Sequence, residues 1–209
     1  MKKGIVLSLN TGRTKNLAET REKEVLSAIN KQSVGDEVLF LSSTHIGGDE
    51  QADLINHGGE DKAVCVYPHE HYSYWNEKLG LDLPFGAFGE NITIEGIAEA
   101  DAFIGDTFQW GEAVVQVSQP RRPCFKVAKR HGIKKFPLFI QETGYSGYYL
   151  RVLQEGNVSA CDSLLLLERR TDVSVESVNK ITYQDKHNPL AIQMLLQLPQ
   201  LSKAWKESL

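Results

Sequence analysis

Thr107-Phe108-Gln109-Trp110-Gly111-Glu112-Ala113-Val114-Val115-Gln116-Val117 decides the fold class. Two runs rich in β-branched and aromatic residues flank a two-residue link containing glycine, the pattern of a tight β-hairpin. Upstream, residues 91–95 alternate as a strand does, residues 63–66 form a short apolar strand, and residues 5–9 are an aliphatic run closed by Asn10-Thr11-Gly12. Residues 25–29 and 38–41 flank Val34-Gly35-Asp36-Glu37 and read as a second hairpin. The spacing of Leu17, Arg21, Val25 and Ile29 by four also suits an amphipathic helix over 17–30, and period alone does not separate the two. Downstream, residues 147–153 and 163–167 return to strand. Helices fit at 68–79, opened by Pro68 and stopped by Gly80, at 123–132, opened by Pro123, and at 136–143, stopped by Gly144. Many short strands with only small helices between them imply a mainly β chain with some α, a barrel or sandwich rather than a parallel sheet.

Composition changes at Glu168-Arg169-Arg170. Three short helical segments follow, at 174–181, 189–197 and 201–208, separated by Asp, Asn and Pro. Residues 1–168 therefore form the β domain and residues 169–209 a C-terminal three-helix extension, too short to stand alone.

The chain has 209 residues, a formal charge of −4 and three cysteines. That length buries a core without staples, and the acidic balance argues against a nucleic-acid partner. The start does not read as a signal peptide, and apolar stretches such as Leu164–Leu167 are far too short to span a membrane, so no membrane partner is expected. An odd number of cysteines at irregular spacing suits a reducing cytoplasm.

Against this acidic background, residues 113–141 contain no Asp or Glu but hold Arg121, Arg122, Lys126, Lys129, Arg130, Lys134 and Lys135, with Cys124 among them. A thiolate is both a nucleophile and a metal ligand, and cations stabilise it. A first-turn position after Pro123 adds about 0.3–1 kcal/mol from the helix dipole. Cys65, inside an apolar run, and Cys161 read instead as buried, unreactive thiols.

Two further clusters carry chemistry. In His57-Gly58-Gly59-Glu60-Asp61-Lys62, paired glycines allow close backbone approach and the lysine can meet a phosphate, although a tight turn explains the same residues. In Phe88-Gly89-Glu90-Asn91, the amide of Asn91 can donate and accept toward a heterocycle edge, although a β-bulge explains it equally. His69 and His71 lack the paired ligand spacing of a zinc site.

Taken in order, Gly48-Asp49-Glu50-Gln51-Ala52-Asp53, His57 to Ala63, Tyr67-Pro68 through Glu70-His71-Tyr72 to Trp75, Phe88-Gly89-Glu90-Asn91-Ile92, Ile104-Gly105-Asp106 and Gln119-Pro120-Arg121 with Pro123-Cys124 resemble the MOSC family. Within it the chain is similar to the YiiM-like subgroup. The resemblance implies a mostly antiparallel β-barrel that binds the molybdenum cofactor (molybdopterin), with Cys124 as metal ligand and catalytic residue. It implies cofactor contacts from Arg121, Asn91, Glu90, Lys62, His57, Gly58, Gly59 and Asp61, with Lys62 and Arg121 on the phosphate. The implied activity is detoxifying reduction of N-hydroxylated purine analogues such as 6-hydroxylaminopurine. No flavin or nicotinamide fingerprint is present, so a separate electron-donor reductase is implied, and a homodimer is compatible with the chain. The alternative is a cofactor carrier or sulfur-transfer protein without reductase turnover.

Overall fold

The computed structural model describes residues 2–17, 24–52 and 58–209. Lys3–Thr11 (β1) opens a ring of strands, and two short strands follow, Lys15–Asn16 (β2) and Leu26–Ser27 (β3), paired with each other. Gln32–Ser33 (β4) pairs with the end of β1, and Leu39–Leu41 (β5) lies apart from the ring. Val64–Pro68 (β6), Ile92–Glu95 (β7), Thr107–Trp110 (β8), Ala113–Pro120 (β9) and Tyr148–Gln154 (β10) come next. Gly156–Val158 (β11) and Leu164–Glu168 (β12) complete the set. The order β12-β8-β9-β10-β6-β7-β1 closes on itself because β1 also pairs with β12, with Lys3 opposite Leu165. Every neighbouring pair in this seven-strand barrel is antiparallel except β6 and β7.

The Gly111-Glu112 hairpin is present, with Trp110 opposite Ala113 and Gly111 at φ 55°. That positive φ suits a residue without a Cβ, as the tight link requires. The expected hairpin between 25–29 and 38–41 is absent. Gly35 does turn the chain at φ 62°, but β3 pairs with β2 and β5 pairs with β11. Each arm found a different partner, β3 the nearby β2 and β5 the distant β11. Of the helical alternative over 17–30, residues 18–23 lie outside the described residues, and Leu26–Ser27 is strand.

The expected helix from Pro68 is shorter. Pro68 ends β6, a one-turn helix covers His69–His71, and α1 (Tyr72–Leu79) ends at left-handed Gly80. Phe125–His131 (α2) and Phe136–Thr143 (α3) stop at left-handed Gly132 and Gly144, as the glycine positions suggest. Val175–Tyr183 (α4), Pro189–Gln197 (α5) and Lys203–Lys206 (α6) are capped by Ser174, Asn188 and Ser202 side chains. Val175, Val178, Leu195 and Trp205 of these helices, with Leu201 from the link before α6, share one apolar core with Ile92, Phe108, Trp110 and Leu164 of the barrel. A second cluster, built on Tyr67, Trp75, Phe88, Phe136 and Ile140, anchors α1, α2 and α3 at the barrel mouth. Tyr67 stacks on Phe88 with centroids 3.8 Å apart, which fixes the 86–90 loop over that mouth.

Candidate active site

Strand β9 delivers Arg121 and Cys124 to one end of the barrel. The Arg121 N–H donates to the Gly147 carbonyl, and Cys124 N-caps α2, its Sγ accepting from the Lys126 N–H at 3.4 Å. Cys124 is thus one residue ahead of the expected first turn, and its sulfur is half-buried. It faces a cleft shared with Lys62, Cys65, Arg121, Lys126 and Tyr149 on one wall, and with Lys31, Asp49, Phe88, Gly89 and Asn91 on the other. The pairing of Tyr149 with Cys65 on β6 and with Gln119 on β9 sets the first wall.

Arg121 is the most constrained member. Its side chain is buried, Nη2 donates to the Phe88 carbonyl at 2.6 Å, and Nη1 has no hydrogen-bond partner among the described residues. Burial pulls the guanidinium down, but Cys65, Tyr149, Tyr67 and Glu90 outweigh it and raise it above its usual range, so the cation persists. A buried N–H without an acceptor costs roughly 1–3 kcal/mol. An anion in the cleft would recover that cost.

Behind the second wall runs a polar relay that spacing alone did not single out. Lys31 and Asp49, both buried, pair at 2.5 Å. Asp49 also accepts from the Gly12 N–H at 2.8 Å and from Asn91 Nδ2 at 2.8 Å. Asn91 Oδ1 accepts the Cys65 N–H at 3.0 Å, and Nδ2 also reaches the Asn10 carbonyl at 3.3 Å. Asn91 lines the cleft, but its amide is committed to holding β6 against the Asp49 loop.

Glu90 lies elsewhere. Fully buried, it accepts from the N–H groups of Gly86 and Phe88, both at 2.9 Å, and from the hydroxyls of Tyr72 (2.5 Å) and Thr93 (3.0 Å). Burial and the facing carboxylate push the Tyr72 phenol well above its usual range, so it remains the donor. From the other side, Arg130 donates to the carbonyls of Gly86 and Ile29, His131 to Ala87, and Arg121 to Phe88. Three basic side chains of the acid-free window thus bind three successive carbonyls of the mouth loop. Burial lowers both Arg130 and His131 from their usual values.

Of the remaining expected residues, Lys62 lines the cleft, whereas Asp61 turns the other way and pairs with Arg151 at 2.8 Å. Gly58 and Gly59 lead into the one-turn helix Glu60–Lys62 without lining the cleft, and His57 lies outside the described residues. Cys161 is exposed rather than buried, and the adjacent Asp36 raises its thiol.

Two outcomes follow locally. Burial raises the Cys65 thiol to about 11, so it is protonated at neutral pH. Iodoacetamide at pH 8 is expected to leave Cys65 unmodified in the native protein and to label it only after unfolding, as peptide mass mapping will show. Gly89 has φ 80°, and a Cβ there would meet Ile29 Cγ1 at 2.7 Å. Gly89→Ala is expected to cost about 1–3 kcal/mol in urea melts and to displace the mouth loop.

No group of three or more His, Cys, Asp or Glu among the described residues could cage a metal. One half-buried sulfur beside Lys62, Lys126 and a buried guanidinium whose Nη1 has no hydrogen-bond partner among the described residues fits a different ligand, an anionic cofactor bringing most of its own metal ligands. Among the described residues, no helix is long and apolar enough to cross a membrane.

Comparison with known proteins agrees with this architecture. Residues 53–164 match the MOSC domain, and residues 173–209 match the YiiM-like 3-alpha helix domain. YflK of Bacillus subtilis (strain 168) is 48% identical over 204 residues, covering 97% of this chain and 91% of that protein. A protein named "Reductase" from Gibberella moniliformis (strain M3125 / FGSC 7600) is 37% identical over 175 residues, covering 80% of this chain but 30% of that protein. The crystal structure of YiiM from Geobacillus stearothermophilus superposes with a TM-score of 0.83 at 37% identity, covering 98% of this chain and 96% of that one. Barrel, mouth loop and C-terminal helices together make the chain a member of the MOSC domain family, with the YiiM-like helical extension.

Proposed function

We propose that the protein is a molybdenum-cofactor-dependent oxidoreductase that reduces N-hydroxylated bases, 6-hydroxylaminopurine being the representative substrate. The observation that carries this reading is the meeting, in one cleft, of the Cys124 sulfur with the buried, unpartnered Nη1 of Arg121. MOSC membership and the relative named "Reductase" support it.

Arg121, Lys62 and Lys126 would hold the cofactor's negative charge, and Cys124 would offer the single protein sulfur to its metal. When bound, that cofactor supplies the two-electron centre for reducing N–OH to N–H. The reaction balances as R–NHOH + 2 e⁻ + 2 H⁺ → R–NH₂ + H₂O. The protein orients the substrate and keeps water away from the apolar Phe88 and Ala28 side of the cleft. Burial keeps the neighbouring Tyr149 phenol protonated. The sequence carries no flavin or nicotinamide fingerprint, and a separate electron-donor protein would supply the two electrons.

Purified holoprotein given 6-hydroxylaminopurine and dithionite-reduced viologen should release adenine, detectable by chromatography. Cofactor retained without adenine formation would instead favour a carrier.

A further inference from the structure

We propose that α6 of the C-terminal extension positions the cleft: Ser202 pins a bulge in β9 and thereby sets the aim of Arg121 and Cys124. This role rests on the reading above only for the identity of the anion that the cleft holds.

The bulge lies in the ladder between β9 and β10. Leu150 is opposite Val117, but the next residue toward the cleft, Tyr149, is opposite Gln119. Ser118 is therefore the extra residue, three positions before Arg121. A bulge bends its strand and re-aims the side chains beyond it. Because side chains alternate along a strand, absorbing the extra residue would carry those that follow to the opposite face. The aim of Arg121 thus depends on whatever keeps Ser118 out of register.

Two elements do so. The Ser118 hydroxyl shares its proton between the carbonyls of Asp61 at 2.6 Å and Tyr149 at 3.1 Å, which ties the bulge to the one-turn helix carrying Lys62. From the other side, the Ser118 carbonyl accepts the Ser202 N–H at 3.0 Å. Ser202 Oγ donates to Gln119 Oε1 at 2.6 Å, and Gln119 Nε2 donates to the Pro120 carbonyl at 3.1 Å. Ser118, Gln119 and Ser202 are all buried, where such bonds are not replaced by water. Past Arg121, the Arg122 guanidinium lies 4.5 Å from the Trp205 ring centroid and donates to the Ser208 hydroxyl. The extension therefore grips the chain on both sides of Arg121, at 118–119 and at 122. Val175, Leu195 and Trp205 would fill the core without any of these bonds. Their placement beside the one buried guanidinium that faces the cleft gives the extension a part in the site as well as in the core.

The test compares five full-length proteins: wild type, Ser202→Ala, Ser202→Thr, Gln119→Met and Asn188→Ala. Asn188 caps α5 in the same extension and has no hydrogen bond to β9 among the described residues, so its loss lowers the melting temperature about as much as loss of the Ser202 cap. Each protein is made without cofactor and followed in two ways. One is amide exchange at Arg121, whose N–H is held by the Gly147 carbonyl; the other is calorimetric binding of inorganic phosphate. Ser202→Ala and Gln119→Met should speed that exchange and weaken phosphate binding about tenfold. Asn188→Ala should stay within about twofold of wild type in both. Ser202→Thr keeps the hydroxyl and the cap and should restore both. Isolated with cofactor, Ser202→Ala and Gln119→Met should retain about tenfold less molybdenum after dialysis. The proposal is overturned if wild type binds no phosphate, if Asn188→Ala weakens binding as much as Ser202→Ala, or if neither Ser202→Ala nor Gln119→Met departs from wild type. Wild type isolated without molybdenum would sink the cofactor reading instead, and exchange and phosphate binding would still decide the role of α6.

Discussion

Cys124→Ser is expected to lower N-hydroxyl reduction more than about a hundredfold while leaving the melting temperature within about 2 °C of wild type. The two halves of this result come from one position. Cys124 is the N-cap of α2, half-buried at the cleft, and its sulfur accepts a single backbone N–H, from Lys126. Serine is among the best N-caps, so the replacement preserves or improves the start of the helix. The cleft, however, loses its one half-exposed sulfur, because Cys65 is buried and protonated and Cys161 lies elsewhere. Elemental analysis should show molybdenum falling in parallel with turnover. A fully active serine variant, or full activity in a metal-free preparation, would reject the assignment.

Glu90→Ala should fail in the opposite manner, losing about 3–5 kcal/mol in urea or thermal melts. For a chain of this size that is a drop of about 6–20 °C. Its carboxylate satisfies four donors in a site with no solvent access, and alanine would strand all four. The loss would spread to the cleft, because the same loop presents the Phe88 carbonyl that holds Arg121. Glu90→Gln keeps the shape but turns an amide N–H₂ toward donors, so an intermediate loss is expected. Wild-type stability in the alanine variant would show that the mouth loop is held by its carbonyl contacts alone.

How much of this could be read beforehand depended on how local each cause was. Gly111-Glu112 announces its hairpin because the link itself dictates the geometry, and apolar runs mark β1, β6, β7, β10 and β12. Gln32–Ser33 and Lys15–Asn16 are invisible as strands, since two polar residues pair only because a distant edge is in place. Gly35 shows the limit most clearly: its turn is legible, but the partners of the flanking strands are a tertiary choice. Within the site, Cys124, Arg121 and Lys62 stand out by residue type and charge context. Lys31 and Asp49 do not, because their pairing across 18 residues exists only after the barrel closes. Glu90 and Asn91 are adjacent in sequence, yet one side chain enters the loop and the other the cleft.

The seam between β1 and β12 joins residues about 160 positions apart in the chain, Lys3 with Leu165. During synthesis the first strand must wait, with one edge unsatisfied, until nearly the whole β portion has left the ribosome. Ring closure is therefore the slow, long-range step of folding. That waiting edge is where the nascent protein is most prone to stick to its neighbours.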